Sequence, residues 1–271
     1  MEKVKKIAFV SDAIYPFNKG GKEKRLYEVT KRLSQLSYVV TVYCMKWWEG
    51  EDVMEREGVI YKAISPYYPL YSGGRRSFKE AIFFSIHCLK LIREDFDVVD
   101  VDHMPHLVLF TTKLVCLIKR KKMVATWHEV WGFEYWSEYI GGFLGFVAYL
   151  IEKITVQLPD KIISISDHTL NNLKDMLKRV DNVYLVHIGN EIDYNSLVKS
   201  KIDSDVLFVG RLLKNKNVDI LIHSIKILKN NYPDIKLIII GEGPEKNKLE
   251  KLSNDIGLED NIKFINFLDN H

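Results

Sequence analysis

The sequence is poor in cysteine and shows no pairing pattern for the few that it has. Three cysteines occur among 271 residues, Cys44, Cys88 and Cys116, and no two of them form a CxxC motif. An odd number of widely spaced cysteines in apolar surroundings argues against a disulfide framework and against a zinc site. It is typical of a protein in a reducing compartment, so we predict a cytoplasmic location.

A long apolar run and a large excess of charge are also missing. No stretch has the roughly 18 uninterrupted apolar residues of a membrane span, and the nearest, residues 140–151, ends at Glu152. Asp12 interrupts the apolar start of the chain too early for a signal peptide. A formal net charge of +3 is too small to indicate a protein that binds nucleic acid.

What the sequence does contain is the composition of an ordinary globular protein, with 47% hydrophobic and 28% charged residues. Its 271 residues exceed the usual size of one domain, which favours two. A polar stretch near residue 200 marks the boundary. We therefore predict a first domain over residues 1–193, a linker over 194–204 and a second domain over 205–271.

Short apolar strands alternate with helical stripes along most of the chain. Strands are predicted over residues 7–10, 39–43, 59–63, 98–101, 123–126, 161–165 and 183–186. Helices are predicted over residues 78–93, 106–119, 142–157 and 167–178. This alternation is typical of an α/β fold with a doubly wound, mainly parallel sheet. Ligands bind such sheets beyond the carboxyl ends of the strands, so the loops after Val10, Val101, Thr126 and Ile165 are candidate sites.

Two segments of the first domain have no clear period. Residues 47–57 are predicted to be irregular, as is the Tyr-, Pro- and Gly-rich stretch 66–76. The second stretch is either a mobile loop near the substrate or an ordinary surface connection.

The second domain repeats the α/β pattern on a smaller scale. Strands are predicted over residues 206–209, 236–240 and 262–265, with helices over 217–230 and 246–256. Three strands and two helices make half of a mononucleotide-binding sheet, with an unpaired edge.

Two glycine-containing turns each connect a strand to a helix. Gly20 and Gly21 follow the first strand, without GxGxxG or GxxxxGK[ST], and either admit a phosphate or form a flexible turn. Gly210 and Arg211 end the strand 206–209, and Lys216 stands just before the next helix. A helix N-terminus with an arginine and a lysine favours a pyrophosphate, and two solvated loop cations are the alternative.

Six segments resemble motifs of glycosyltransferase family 4, and they occur in the same order as in that family. They are residues 16–25, 126–132, 163–173, 188–193, 206–222 and 239–250. The resemblance implies a GT-B fold, here with an incomplete second Rossmann-like domain. It implies sugar transfer from a UDP- or GDP-sugar donor to a hydroxyl of a glycan or lipid-linked acceptor, with retention of configuration.

The same resemblance assigns roles to individual residues. His128 corresponds to a histidine near the transferred sugar, and we predict it to be catalytic; a structural histidine is the alternative. The predicted donor-binding residues are Gly20, Gly21, Arg211, Lys216, Glu242, Gly243, Pro244, Asn266, Phe267 and Leu268. For the last six, simple turn residues are the alternative. No metal or other cofactor is expected, because the cations take its place.

The chain departs from the family pattern in several places. Asn217 and Glu191 replace glycines that the family usually has. The glutamate pair E-x7-E of the second domain is absent from its expected place, and Glu242 and Glu250 have that spacing at the wrong point in the order. We therefore expect a piece of a longer enzyme or a shortened gene product. The alternative function is an inactive module that binds a nucleotide sugar or a partner.

One helical stripe raises the question of membrane contact. Phe143, Val147, Leu150, Ile151 and Ile154 fall on one helical face. Packing into the core is the usual interpretation. Peripheral contact with a membrane, assisted by the basic turn 120–122, is the alternative.

Overall fold

The computed structural model describes residues 5–72, 75–177, 181–189 and 204–266. The chain divides into two compact units, Met1–Asn190 and Glu191–His271. The predicted linker, residues 194–204, lies outside the described residues except for Ser204.

The first unit is built on an eight-stranded sheet, which confirms the predicted α/β class. Its spatial order is β10-β9-β8-β7-β1-β2-β4-β3, and all described pairs are parallel except β3 with β4. The strands are β1 Lys6–Val10, β2 Val39–Met45, β3 Val53–Arg56, β4 Val59–Ser65, β7 Val98–Asp102, β8 Lys122–Trp127, β9 Lys161–Ser164 and β10 Val183–Leu185. A separate hairpin pairs β5 Tyr71–Ser72 with β6 Arg75–Arg76.

Helices cover both faces of this sheet, because successive side chains of the central strands point to opposite sides. On one side, Phe9 of β1 packs with Leu26 of α1, Gly21–Gln35. On the other, Val10 packs in a cluster that includes Phe84, Leu109 and Leu173. Those residues belong to α2 Phe78–His87, α3 Leu107–Lys119 and α6 Asp167–Met176, and this layer also contains the 3-10 helix Cys88–Arg93, α4 Gly132–Ile140 and α5 Gly142–Thr155.

The predicted irregularity of residues 47–57 was wrong. This segment contains β3, which returns onto β4 through a tight turn at Glu57 and Gly58. Their φ angles are +52° and +75°, the paired left-handed conformation of a two-residue hairpin turn. The glycine was the available signal, but the glutamate before it is unusual there. The helix α4 was likewise not predicted, and the predicted helix 78–93 changes to a 3-10 helix at Cys88.

The second unit is a three-stranded parallel sheet in the order β11-β12-β13. Its strands are β11 Val206–Val209, β12 Leu237–Ile240 and β13 Ile262–Ile265, and its helices are α7 Val218–Leu228 and α8 Lys246–Asp255. The two helices bury Ile222, Ile225 and Leu249 against Leu237 and Ile239. Within the described residues, no helix of either unit combines the length and the apolar character needed to cross a membrane.

Candidate active site

In the first unit, charged side chains gather where three neighbouring strands end. Asp12 follows β1, Asp102 is the last residue of β7, and His128 follows β8. Because β7 lies between β1 and β8, all three residues share one carboxyl edge. This is the edge at which the sequence predicted a ligand site, and it brings the predicted His128 next to two acids that had not been predicted.

Asp102 holds the His128 side chain in place. The His128 Nε2–H group donates to Asp102 Oδ1 over 3.2 Å, which leaves Nδ1 as the acceptor of the ring. The backbone N–H of His128 donates to His103 Nδ1 at 3.4 Å, and its carbonyl accepts from the Thr169 hydroxyl at 3.1 Å. Both the ring and the backbone of His128 are therefore fixed at the sheet edge.

Lys22 connects the two acids from the first turn of α1. Its Nζ lies 2.6 Å from Asp12 Oδ1 and 3.5 Å from Asp102 Oδ2. Burial alone would raise the pKa of each acid, but Lys22 pulls both below their ordinary values, with Arg76 helping at Asp12 and the His128 hydrogen bond at Asp102. Burial would in turn lower the pKa of Lys22, yet the two carboxylates raise it. All three groups are therefore charged at neutral pH.

Arg76 brings the β5–β6 hairpin against this cluster. Its guanidinium donates to Asp12 Oδ2 and lies 3.5 Å from Glu80 Oε2. Burial, followed by the nearby Asp12 charge, raises the pKa of Glu80 to about 8. Residues 66–76 had been predicted to be irregular. The part of this stretch around Arg76 lies at the candidate site and is held there by a buried ion pair.

A layer of uncharged rings lies beside the charged residues. His103 stacks on Trp127 with ring centroids 5.2 Å apart, and His106 lies 6.0 Å from both Trp127 and Trp136. Burial lowers the pKa of His106 to about 3 and also lowers that of His103, so both rings are neutral. The described residues contain no group of three His, Cys, Asp or Glu side chains placed to hold a metal ion.

Glu152 fixes the start of α4 beside these rings. Its buried carboxylate accepts hydrogen bonds from the Trp131 and Gly132 backbone N–H groups, both at 2.9 Å, and from Trp136 Nε1 at 3.0 Å. These three donors satisfy a carboxylate that is wholly buried in α5, so α4 and α5 are locked together behind the site.

The two glycines of the predicted phosphate loop lie at the start of α1. Gly20 caps the helix with a φ of −112°, and Gly21 is its first residue. No side chain caps the first-turn amides. A Cβ on Gly21 would meet no atom within 4 Å, so the space outside this helix end is open. The geometry leaves room for an anion without requiring glycine for backbone strain.

The second unit gathers its predicted donor-binding loops in the same way. Arg211 follows β11, residues 242–244 follow β12, and Asn266 follows β13, all at one carboxyl edge. The first two loops are packed backbone to backbone: a Cβ on Gly241 would lie 1.9 Å from Gly210 O, and one on Gly243 would lie 2.2 Å from Leu212 O. Any other residue at these glycines would push the Arg211 loop away.

Lys216 and Asn217 form the junction between this loop and α7. Lys216 ends a 3-10 turn, and Asn217 precedes the helix with a φ of +52°. Asparagine is among the few residues besides glycine that adopt this left-handed conformation readily, which explains how it stands where the family usually has glycine. Arg211 and Lys216 are both exposed at this edge.

The remaining predicted residues are placed as follows. Asn266 Oδ1 accepts from Lys246 Nζ at 2.5 Å, and Glu242 and Pro244 are exposed. Phe267 and Leu268 lie outside the described residues. Glu250 lies 3.9 Å from Lys246, in the local pair that the sequence had indicated.

The sequence missed Asp12, Lys22, Arg76 and Asp102. Asp12 and Asp102 directly follow or end apolar strands, which is a usable signal. Lys22 and Arg76 carry no such signal, because their common partner Asp12 is 10 and 64 residues away along the chain.

Family models match nearly the whole described chain. The model of Glycosyltransferase Family 4 matches residues 19–194, and the model of Glycosyl transferases group 1 matches residues 189–271. One subunit of the human phosphatidylinositol N-acetylglucosaminyltransferase is 28% identical over 279 residues, which are 97% of this chain and 53% of that protein. The gpi3 subunit of the same enzyme from Schizosaccharomyces pombe is 24% identical, over 94% of this chain and 55% of its own length.

Solved structures with a similar fold have diverged far in sequence. Anabaena HepE in complex with UDP and glucose matches 98% of this chain and 70% of its own, with a TM-score of 0.70 and 16% identity. A sucrose-phosphate synthase from Thermosynechococcus elongatus matches 98% of this chain and 71% of its own, with a TM-score of 0.75 and 16% identity. At this identity the likeness concerns the fold. The chain spans about half the length of the two curated relatives named above.

Proposed function

Because this chain belongs to glycosyltransferase family 4, we propose that it transfers a sugar from a nucleotide-diphosphate-sugar donor to a hydroxyl acceptor with retention of configuration. The observation that carries the proposal is the edge of the second unit, where the Arg211 loop, residues 242–244 and Asn266 converge beside the start of α7. A leaving diphosphate needs fixed positive charge, and this edge supplies two exposed cations and a helix N-terminus.

The donor would bind through its diphosphate. The Arg211 guanidinium can hold two phosphate oxygens at once, and Lys216 adds a point charge near the first amides of α7. Backbone packing of Gly241 and Gly243 against residues 210–212 keeps the loop in one position, so little order has to be gained on binding. These cations support a transfer without a metal ion, and a UDP- rather than a GDP-sugar is favoured by the UDP bound in the HepE structure.

The first unit would hold the sugar and the acceptor. His128 presents its Nδ1 acceptor at the sheet edge because Asp102 holds Nε2–H. That nitrogen is suited to accept a hydrogen bond from a sugar hydroxyl. The charged Asp12, Lys22 and Asp102 behind it supply a fixed field and would not need to reorganise during the reaction.

The acceptor is proposed to be a glycan or a lipid-linked hydroxyl. The similar human and yeast proteins are named for a phosphatidylinositol acceptor, which favours the lipid. We also propose a cytoplasmic location with peripheral membrane contact. All three cysteines are buried free thiols, as expected in a reducing compartment.

Calorimetry with UDP and GDP tests the donor site. Arg211→Ala should weaken binding of the nucleotide diphosphate about tenfold or more, since a charged hydrogen bond typically contributes about 1.5–3 kcal/mol. Lys226→Ala is the matched control, an exposed cation on the outer part of α7, and should leave affinity within about twofold. Equal UDP and GDP affinities in wild type and Arg211→Ala would refute the diphosphate clamp.

A turnover assay separates an enzyme from an inactive binding module. Donor hydrolysis by this chain, followed by NMR of the anomeric proton released, should give a product of retained configuration that disappears in His128→Ala. Tight nucleotide binding without any turnover would instead support a module that only binds the nucleotide sugar.

A further inference from the structure

One layer of helices in the first unit is apolar on its outer surface. We call it the helical face and define it as the exposed side of α2, the 3-10 helix Cys88–Arg93, α3 and α5. Fifteen large apolar side chains of these elements are exposed: Phe78, Ile82, Phe83, Ile86, Leu89, Ile92, Phe110, Leu114, Leu117, Ile118, Phe143, Leu144, Phe146, Leu150 and Ile154. Isolated exposed apolar residues are ordinary on a protein surface, but so many on adjacent helices mark an interaction surface.

The charges on the same elements are almost all positive. Residues 78–93, 107–122 and 142–155 contain nine Lys or Arg residues and only two acids, Glu80 and Glu152. Both acids are fully buried and face the interior. The helical face therefore exposes cations and apolar groups and no carboxylate, although the chain as a whole has a net charge of only +3.

The topology places the apolar and basic residues in a fixed order. Each of the three helices runs from the carboxyl edge of the sheet, where the candidate site lies, towards the edge at which the strands begin. Phe78, Phe110 and Phe143 lie near the site end of their helices. Most of the cations, including Arg93 and Lys153, lie towards the opposite end. The apolar part of the face therefore borders the candidate site.

We propose that the helical face docks on a lipid bilayer that contains anionic headgroups. This locates the membrane contact proposed above and in that respect rests on the proposed function. Apolar side chains among the headgroups and lysines or arginines against anionic lipid are the two forces that hold a protein at a membrane interface. A bilayer satisfies both at once over a broad, continuous surface.

Charge distinguishes the bilayer from a second copy of the chain. In a symmetric dimer the same patch would face itself, so cations would oppose cations across an apolar contact. No exposed acid on these elements could relieve that repulsion. The occupant must bring negative charge and apolar surface together, as an anionic bilayer does.

Vesicle flotation with the full chain, in the absence of nucleotide, tests the proposal. The probes are phosphatidylcholine vesicles with about 30% phosphatidylserine and vesicles of phosphatidylcholine alone. We expect stronger binding to the anionic vesicles, decreasing steeply at about 0.5 M NaCl. The triple variant Lys79→Gln, Arg93→Gln and Lys153→Gln should bind anionic vesicles at least tenfold more weakly, because each cation near such a surface contributes about fivefold.

A matched triple variant controls for charge in general. Lys226→Gln, Lys248→Gln and Lys251→Gln remove three exposed cations from the second unit and should leave binding within about twofold. A further variant, Leu117→Gln with Phe143→Gln, should weaken binding to both kinds of vesicle. These side chains are 65% and 78% exposed, so the fold should tolerate the change.

Three outcomes would overturn the proposal. They are equal loss of binding in the two triple variants, no preference for anionic vesicles, and a stable dimer that Phe143→Gln dissociates in sedimentation. UDP affinity of the same preparations, measured by calorimetry, reports on the donor site independently. Loss of vesicle binding with intact UDP binding would therefore count against docking and leave the proposed transfer standing.

Discussion

Replacing Lys22 by methionine removes the cation that joins the two acids of the first unit while keeping the length and apolar stem of the side chain. Lys22 Nζ lies 2.6 Å from Asp12 and 3.5 Å from Asp102, and the two carboxylates are 0% and 6% exposed. The methionine side chain would leave Asp102 with only its His128 hydrogen bond and leave Asp12 with Arg76.

The magnitude follows from two opposing effects. At an effective dielectric constant of about 20, the two ion pairs correspond to roughly 6 and 5 kcal/mol of attraction. The variant also avoids the cost of taking the ammonium group out of water, which is several kcal/mol. Breaking a buried pair typically costs about 3–5 kcal/mol, and we expect a loss of about 3 kcal/mol because Arg76 still compensates Asp12.

The loss should depend on pH with a definite sign. The folded-state pKa values of Asp12 and Asp102 are held below their ordinary values, so their stabilisation is present above the unfolded pKa of about 4 and is lost on acidification. Without Lys22, burial instead raises both pKa values. The difference in stability between wild type and Lys22→Met should therefore shrink as the pH falls from 7 to about 4.

Urea unfolding followed by tryptophan fluorescence measures this difference in the first unit alone. All five tryptophans lie between residues 47 and 136, so the second unit does not contribute to the signal. Lys24→Met is the matched control on the same helix: its ammonium pairs with Glu28 at 2.7 Å but is 52% exposed, so we expect a loss of at most about 1 kcal/mol. Equal losses in the two variants, or a Lys22→Met loss that grows on acidification, would refute the buried-bridge account.

Two further predictions concern single residues. Asp102→Asn should alter the tautomer of His128 in NMR spectra and slow any turnover about tenfold or more without changing UDP affinity; Asp100→Asn, on the same strand with its carboxylate on Thr126, is the control, and identical His128 spectra in both variants would contradict a positioning role. Asn217→Ala should destabilise the second unit by about 1 kcal/mol because of its left-handed conformation, whereas Asn217→Gly should be within about 0.5 kcal/mol of wild type. Hydrogen exchange of the α7 amides measures both, and similar protection in the two variants would show that φ at this position is not limiting.

The local pattern of the sequence was a good guide to elements and a poor guide to contacts. The apolar runs of β11 and β13 were predicted to the residue, because each is bounded by polar residues or glycine. β3 was missed, since a four-residue strand of alternating polarity acquires meaning only beside β4. His128 was predicted through a motif at a strand end, whereas the Asp102 that orients it needed the neighbouring strand to be known.

The same limit applied to charge. A net charge of +3 gave no reason to expect a basic surface, and the stripe at residues 142–154 was by default assigned to the core. The structure buries Glu80 and Glu152 and leaves the cations of the same helices outside, so the helical face is far more basic than the chain. It also exposes Phe143 and Leu150, which a helical stripe alone would place inside.

The sequence by itself determined the alternation of strands and helices, the carboxyl-edge loops in which function was to be sought, and the family. These features depend on short-range periodicity and on motifs that are contiguous in the chain. Only the tertiary structure decided that Asp12, Lys22, Asp102 and His128 form one cluster and that the apolar and basic helices share one surface. The physical reason is that strand order brings distant segments together, and burial then decides which charges remain paired inside and which face outward.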